Sequence, residues 1–252
     1  MPPPFGLTDD VLAAAMSEED PESLAAASRM RAQFGPQLAA AALTQATLRR
    51  QAKAKFGEAA VQMFFTRAGL EQATRPEVAD HHASRFLQAG VRKVIDLGCG
   101  IGSDAMAFAR AGLEVLAVDV DPETAAVAQA NLAGVADVIC TDANEVAEQL
   151  ITARVGVFCD PARRNDHGRV WRVEDFEPRW PTVMQLFDGG RTAGVKLGPA
   201  LPHSLIPEAV EAEWITHRGE TVEVGLWSGP GATPGRRSAL IMPNARLIAT
   251  TA

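Results

Sequence analysis

The chain has 252 residues, 47% of them hydrophobic and 22% charged, and a formal net charge of -7. That length can bury one large core, or a core plus a smaller helical unit, while the acidic balance excludes a surface given over as a whole to polyanion binding, which needs clustered Lys and Arg. The opening MPPPFGLTDD lacks the charged and apolar regions of a secretory leader, and no apolar run nears the roughly 20 residues of a membrane helix, so a cytoplasmic protein without a membrane partner is expected.

Residues 1–89 are rich in Ala, Leu, Gln, Glu and Arg and contain no alternating β-branched run, which predicts a helical domain. One helix is expected from about Pro36 to Phe56, carrying Arg49, Arg50, Lys53 and Lys55 close together. Such a run is first of all a solvated helix face, with contact to RNA phosphates as the functional alternative. A further helix is signalled at TRPEVADHHASRF, where Thr74 and Glu77 have capping-box spacing and Pro76 suits the first turn. It should end near Gly90.

From residue 90 to 252 the pattern becomes strand, turn and helix in alternation. RKVIDLG, LEVLAVDVD, VADVICTD, VGVFCDP and TAGVKLG read as strands, separated by SDAMAFARAG, DPETAAVAQANLAG and NEVAEQLIT as helices, with Asp121 a helix cap. Near-continuous apolar strands in repeated βα units imply an α/β fold with a parallel sheet covered on both faces. EAEWITH, TVEVGLW and RSALIMP then read as antiparallel strands closing one edge.

DLGCGIGSD, residues 96–104, lies between the first strand and its helix, where open α/β sheets bind nucleotides. Gly98, Gly100 and Gly102 allow close backbone approach, but Ser103 stands where a dinucleotide fingerprint needs its third glycine. Asp119, ending the second strand, can accept both hydroxyls of a ribose, and Asp142, ending the third, is placed for an adenine amino group. Cys99, Cys140 and Cys159 have no CxxC spacing, so neither a metal site nor a disulfide framework is expected. His81 and His82 read as helix residues, His167 and His217 as surface or loop residues, and His203 as one that approaches the pocket.

This set of residues, from the glycine loop through the acids ending the second and third strands to Asp160-Pro161 after the fourth, resembles the class I S-adenosylmethionine-dependent methyltransferases. The resemblance implies a Rossmann-like seven-stranded methyltransferase sheet with its last strand antiparallel. It places Asp96, Gly98, Gly100 and Gly102 around the methionine part of S-adenosyl-L-methionine, Asp119 at the ribose and Asp142 at the adenine, with Cys99, Val120 and Ala143 also in the cofactor site. More narrowly, LEQATRPEVADHHASRF is similar to the lead-in of RNA cap guanine-N2 methyltransferases, the trimethylguanosine synthases. KLGPALPHSLIP and AEWITHRGETVEVGLW resemble bacterial methyltransferases in which a THUMP-like domain follows, here beyond Ala252.

VFCDPARR, residues 157–164, is the corner where the resemblance places the methyl acceptor. Amino-methyltransferases of nucleic acids read (D/N/S)-P-P-(Y/F/W) there, so Asp160 and the Pro161 carbonyl would receive the target amine, while Ala162 and Arg163 depart from the pattern. Arg163 can stack on a base or pair with a phosphate, and Trp171, Phe176 or Trp180 can supply the missing ring, Trp171 first, although ordinary packing is the simpler role for each. The corner is also similar to the D-P-P-R of uracil-C5 methyltransferases, but KLGPAL lacks their nucleophilic cysteine. The expected partner is RNA, methylated on an exocyclic amine; a small-molecule or protein acceptor, or a binding module without turnover, are the alternatives.

Overall fold

The computed structural model describes residues 3–150, 155–163, 175–243 and 245–249, the side chains of 147–150 and 163 excepted. The chain opens with α1 (Asp9–Ser17), α2 (Leu24–Phe34) and α3 (Pro36–Phe56). Ser23 caps α2 by accepting the Ala26 N–H at 3.2 Å, and Gly35, at φ 80°, lets the chain turn before Pro36 starts α3. Leu12, Met30 and Ala42 bury one face of each helix. A second cluster joins Leu48, Phe65 and Leu70 to Ile101 and Val127 further along, so the helical segment is seated on the α/β part through a shared core.

Two of the basic residues of α3, Arg49 and Lys55, are drawn into the protein rather than onto a solvated face, while Arg50 and Lys53 stay exposed. Arg49 is buried, donates to the Met63 carbonyl at 2.9 Å and lies over the Phe64 ring. Arg50 donates to the carbonyls of Glu19, Met16 and Glu18, and Lys55 to those of Leu70, Glu71 and Ala73 at 2.5, 2.9 and 3.0 Å. These carbonyls lie at the ends of α1 and of α4 (Arg67–Gln72), where helices lack internal donors. Lys53 pairs at the surface with Glu58.

Pro76 begins α5 (Pro76–Gln88), but the expected capping box does not form: Arg75 is the N-cap residue and no side chain caps the helix. The Thr74 hydroxyl is engaged elsewhere.

The α/β part contributes β1 (Lys93–Leu97), α6 (Ser103–Arg110), β2 (Glu114–Asp119), α7 (Pro122–Asn131), β3 (Asp137–Cys140), α8 (Ala143–Leu150), β4 (Gly156–Cys159), the short pair β5 (Ala162–Arg163) and β6 (Phe176–Glu177), α9 (Trp180–Gln185), β7 (Ala193–Leu197), β8 (Glu211–His217), β9 (Glu220–Ser228), β10 (Arg237–Ile241) and β11 (Ala245–Ile248). The main sheet runs β11-β10-β8-β9-β7-β4-β1-β2-β3. From β3 to β8 this is a Rossmann-like seven-stranded sheet of the order the resemblance implies, with β9 antiparallel between β7 and β8. Two strands extend it, and β10 pairs with β8 in parallel rather than antiparallel. The link from β9 to β10 is held to β8 where the Glu211 carboxylate receives the Thr233 N–H at 2.8 Å and the Arg236 guanidinium at 2.7 Å. Among the described residues no helix is long and apolar enough to cross a membrane.

Candidate functional site

A cleft of about 690 Å³ opens at the carboxyl ends of β1, β2, β4 and β7. Its floor is the loop after β1. Gly98, at φ 77°, lies so close to the chain after β4 that a Cβ there would be 2.7 Å from the Asp160 carbonyl oxygen. The N–H groups of Gly98 and Cys99 both donate to the Val118 carbonyl at 2.9 Å, and the Asp160 N–H donates to Leu97 at 3.0 Å. Asp119 accepts the Gly100 N–H on Oδ2 and the Asp121 N–H on Oδ1, each at 3.0 Å. Asp121 itself caps α7 through the Thr124 N–H at 2.7 Å, as its sequence position predicts.

Asp96 is buried, and both its carboxylate oxygens lack a hydrogen-bond partner. Burial, reinforced by Asp104 and Asp160, pushes its pKa well above the ordinary carboxylate value. Burial also raises that of Asp119.

At the other wall Asp160 follows β4, with Oδ2 paired to the Lys196 ammonium from β7. Lys196 also donates to the Thr74 hydroxyl at 3.0 Å, and Thr74 donates to Asp104 Oδ2 at 2.5 Å. Asp104 Oδ1 meets His82 Nδ1 at 2.8 Å, and His82 Nε2 meets Glu223 Oε1 at 2.7 Å. One buried polar chain therefore links β4, β7, the turn before α5, α6, α5 and β9.

Residues 94–159 match the family described as methyltransferase domain, and residues 9–52 match a domain of unknown function, DUF8688. An uncharacterised S-adenosylmethionine-dependent methyltransferase of Mycobacterium tuberculosis, in strains H37Rv and CDC 1551, is 34% identical over 232 residues, covering 87% of this chain and 62% of the relative. The chain thus spans about three-fifths of the length of these curated relatives. A crystal structure from Porphyromonas gingivalis W83, of a protein named as a methyltransferase, shares the fold with a TM-score of 0.73 at 22% identity, over 96% of this chain and 65% of that one.

Residues 94–159 thus match a methyltransferase domain, in a chain similar to S-adenosylmethionine-dependent methyltransferases.

The cleft fits S-adenosylmethionine by the chemistry of its donors. S-adenosylmethionine carries a sulfonium and an ammonium, and the cleft offers the unpartnered Asp96 together with Asp104, Asp119 and Asp160. Each Asp119 oxygen accepts a single backbone N–H and so keeps acceptor capacity for ribose hydroxyls. Of the residues expected at the methyltransferase site, Asp96, Gly98, Cys99, Gly100, Asp119, Val120, Asp160 and Pro161 line the cleft. Gly102 turns the loop into α6 at φ 87°, and a Cβ there would press on Leu132 at 3.0 Å.

Asp142 and Ala143 are not among the residues that line this cleft. β3 ends at Cys140, and Asp142 begins α8 instead, where its Oδ1 accepts the Asn144 N–H at 2.8 Å and the Asn144 side-chain amide at 2.7 Å. The His203 ring packs on Trp214, 5.2 Å between centroids, and His203 is not among the residues lining this cleft. His217 is buried at the end of β8, 3.6 Å from Glu77, rather than on the surface. Phe176 is buried and packs with Trp180 at 5.6 Å, the ordinary role. Arg163 forms the short β5 strand, and its side chain, like Trp171 and His167, lies outside the described residues.

Thr74, Asp104, His82 and Lys196 were not singled out from the sequence as site residues, although two left a readable signal. Lys196 is a charge in the otherwise apolar run TAGVKLG, and a charge in a buried strand requires a partner. His82 falls between Val78 and Phe86 at four-residue spacing, on the buried face of α5.

Proposed function

We propose that this chain is an S-adenosylmethionine-dependent methyltransferase acting in the cytoplasm on an exocyclic amine of an RNA base. The observation that carries the reading is Asp160-Pro161 lining the cofactor cleft, against Gly98 and across from Asp96. The cofactor supplies a methyl group made electrophilic by the sulfonium that carries it. In-line transfer then depends on alignment of the acceptor's lone pair. Asp160 Oδ1, which takes no hydrogen bond among the described residues, receives an N–H of the acceptor, with the Pro161 carbonyl as the neighbouring acceptor. With the cofactor bound, the Asp160 carboxylate would accept the proton that the amine releases on methylation.

Support for RNA comes from the lead-in LEQATRPEVADHHASRF, which resembles that of the cap guanine-N2 methyltransferases and runs through Thr74 at the cleft wall. Burial raises the Cys99 and Cys159 thiol pKa values well above the ordinary one, which speaks against a thiolate nucleophile of the uracil-C5 type. The three cysteines are unpaired, in keeping with a reducing compartment.

A small-molecule amine is the second reading, favoured by the internal use of Arg49, Arg50 and Lys55. Radiolabelled methyl transfer, counted separately in the RNA, protein and small-molecule fractions of a bacterial extract, tests both. Label in RNA supports the first reading; label confined to small molecules replaces it with the second.

A further inference from the structure

Of the groups in the polar chain at the acceptor corner that the reaction as drawn does not use, Lys196 is the one that pairs directly with Asp160. Lys196 is nearly enclosed, with 14% of its side chain exposed, whereas one-third of Asp160 faces the cleft. Charged groups are rarely held at such depth without a specific arrangement of partners. Here the arrangement is directional. Thr74 has a single hydroxyl hydrogen, and the 2.5 Å contact with the acceptor-only Asp104 carboxylate claims it. The Thr74 oxygen must therefore accept from Lys196, so the lysine is the donor both to Thr74 at 3.0 Å and to Asp160 Oδ2.

The surroundings make that donor consequential. Asp160 is approached by Asp96 from β1, Asp104 from α6 and Glu223 from β9, with Asp119 from β2 lining the same cleft; the nearby cations are Lys196 from β7 and His82 from α5, and Lys55 from α3 borders a cavity of about 340 Å³ on the far side of Thr74 and Lys196. Burial raises the Asp160 pKa, and Asp104 and Glu223 act in the same direction; Lys196 opposes them. A protonated Asp160 would present a donor to the acceptor amine and have no capacity for its proton.

We infer that Lys196 is a positioning residue for methyl transfer: its ammonium occupies Oδ2 of Asp160, keeps that carboxylate ionised among its acidic neighbours, and leaves Oδ1 as the oxygen that receives the acceptor's N–H. The inference rests on Asp160 being the acceptor corner. Thr74, fixed by Asp104, in turn holds the lysine on the Asp160 side.

The test follows the carboxyl carbon of Asp160 by NMR through a pH titration of the full chain bound to S-adenosylhomocysteine, with Asp160→Asn identifying the signal. In Lys196→Met the Asp160 midpoint is expected to rise by about one pH unit or more, the usual effect of losing an adjacent opposite charge, and Lys196→Arg is expected to restore it. Cofactor affinity by calorimetry should stay near that of the parent in both variants. An unmoved midpoint in a folded Lys196→Met protein overturns the inference, as does a midpoint that Lys196→Arg fails to restore. In the RNA transfer assay, the acid limb of the pH profile should rise with the titration. Full transfer by Asp160→Asn would instead remove the acceptor reading, and the titration would still report whether Lys196 controls Asp160.

Discussion

Asp119 holds the N–H of Gly100 at 3.0 Å, so the carboxylate ending β2 fixes the backbone of the glycine loop that follows β1. Loop geometry and ribose recognition thus depend on one side chain. Asp119→Ala should weaken S-adenosylhomocysteine binding by about 1–3 kcal/mol, the scale of a lost hydrogen bond to a charged group. Calorimetry showing unchanged affinity would remove Asp119 from the site.

Asp160 sits on the opposite wall and should separate binding from turnover. Asp160→Asn keeps the shape of the corner but removes its charge, its pairing with Lys196 and its capacity for a proton. Transfer should fall by about 10²-fold or more, the penalty for misaligned reacting groups, with cofactor binding retained. Loss of both in parallel would mean that Asp160 supports the cleft rather than the acceptor.

His82 lies between two carboxylates at the centre of the protein. Burial acts to lower its pKa, but Glu223 and Asp104 outweigh that and raise it to about 10. A group raised in this way contributes stability that is fully present below its unfolded value of about 6.5 and is lost as pH rises through about 10. His82→Ala strands Asp104 and Glu223 and should cost about 3–5 kcal/mol near pH 6, with the deficit shrinking toward pH 10. Denaturant midpoints of the two proteins that stay parallel across that window would contradict the assignment.

Lys55 gives the matching test for the helical segment. Its ammonium donates to three carbonyls around the end of α4, a segment whose Ala68, Gly69 and Gln72 line the cleft. Lys55→Met should lower stability by about 1–3 kcal/mol and weaken cofactor binding through the loosened wall. A stable variant defective only in RNA binding would restore the phosphate-contact role.

The sequence alone determined what depends on local pattern. Near-continuous apolar strands alternating with capped helices required a parallel sheet, and D-x-G-x-G-x-G required a loop able to adopt positive φ at Gly98 and Gly102. The sequence also pointed to Asp119 and Asp160, because one ends β2 and the other directly follows β4, neighbours of β1 whose carboxyl ends converge. Tertiary structure decided the partners of the charged residues. Thr74 has the spacing of a helix cap but meets Asp104 and Lys196, and Asp142 lies two residues beyond β3 and accepts the Asn144 N–H at the start of α8. Hydrogen bonds such as His82 to Glu223 and Lys196 to Thr74 join residues 141 and 122 positions apart. Nothing in local propensity encodes such pairings; they arise because a buried charge must find its counterpart among whatever groups the folded core brings within reach.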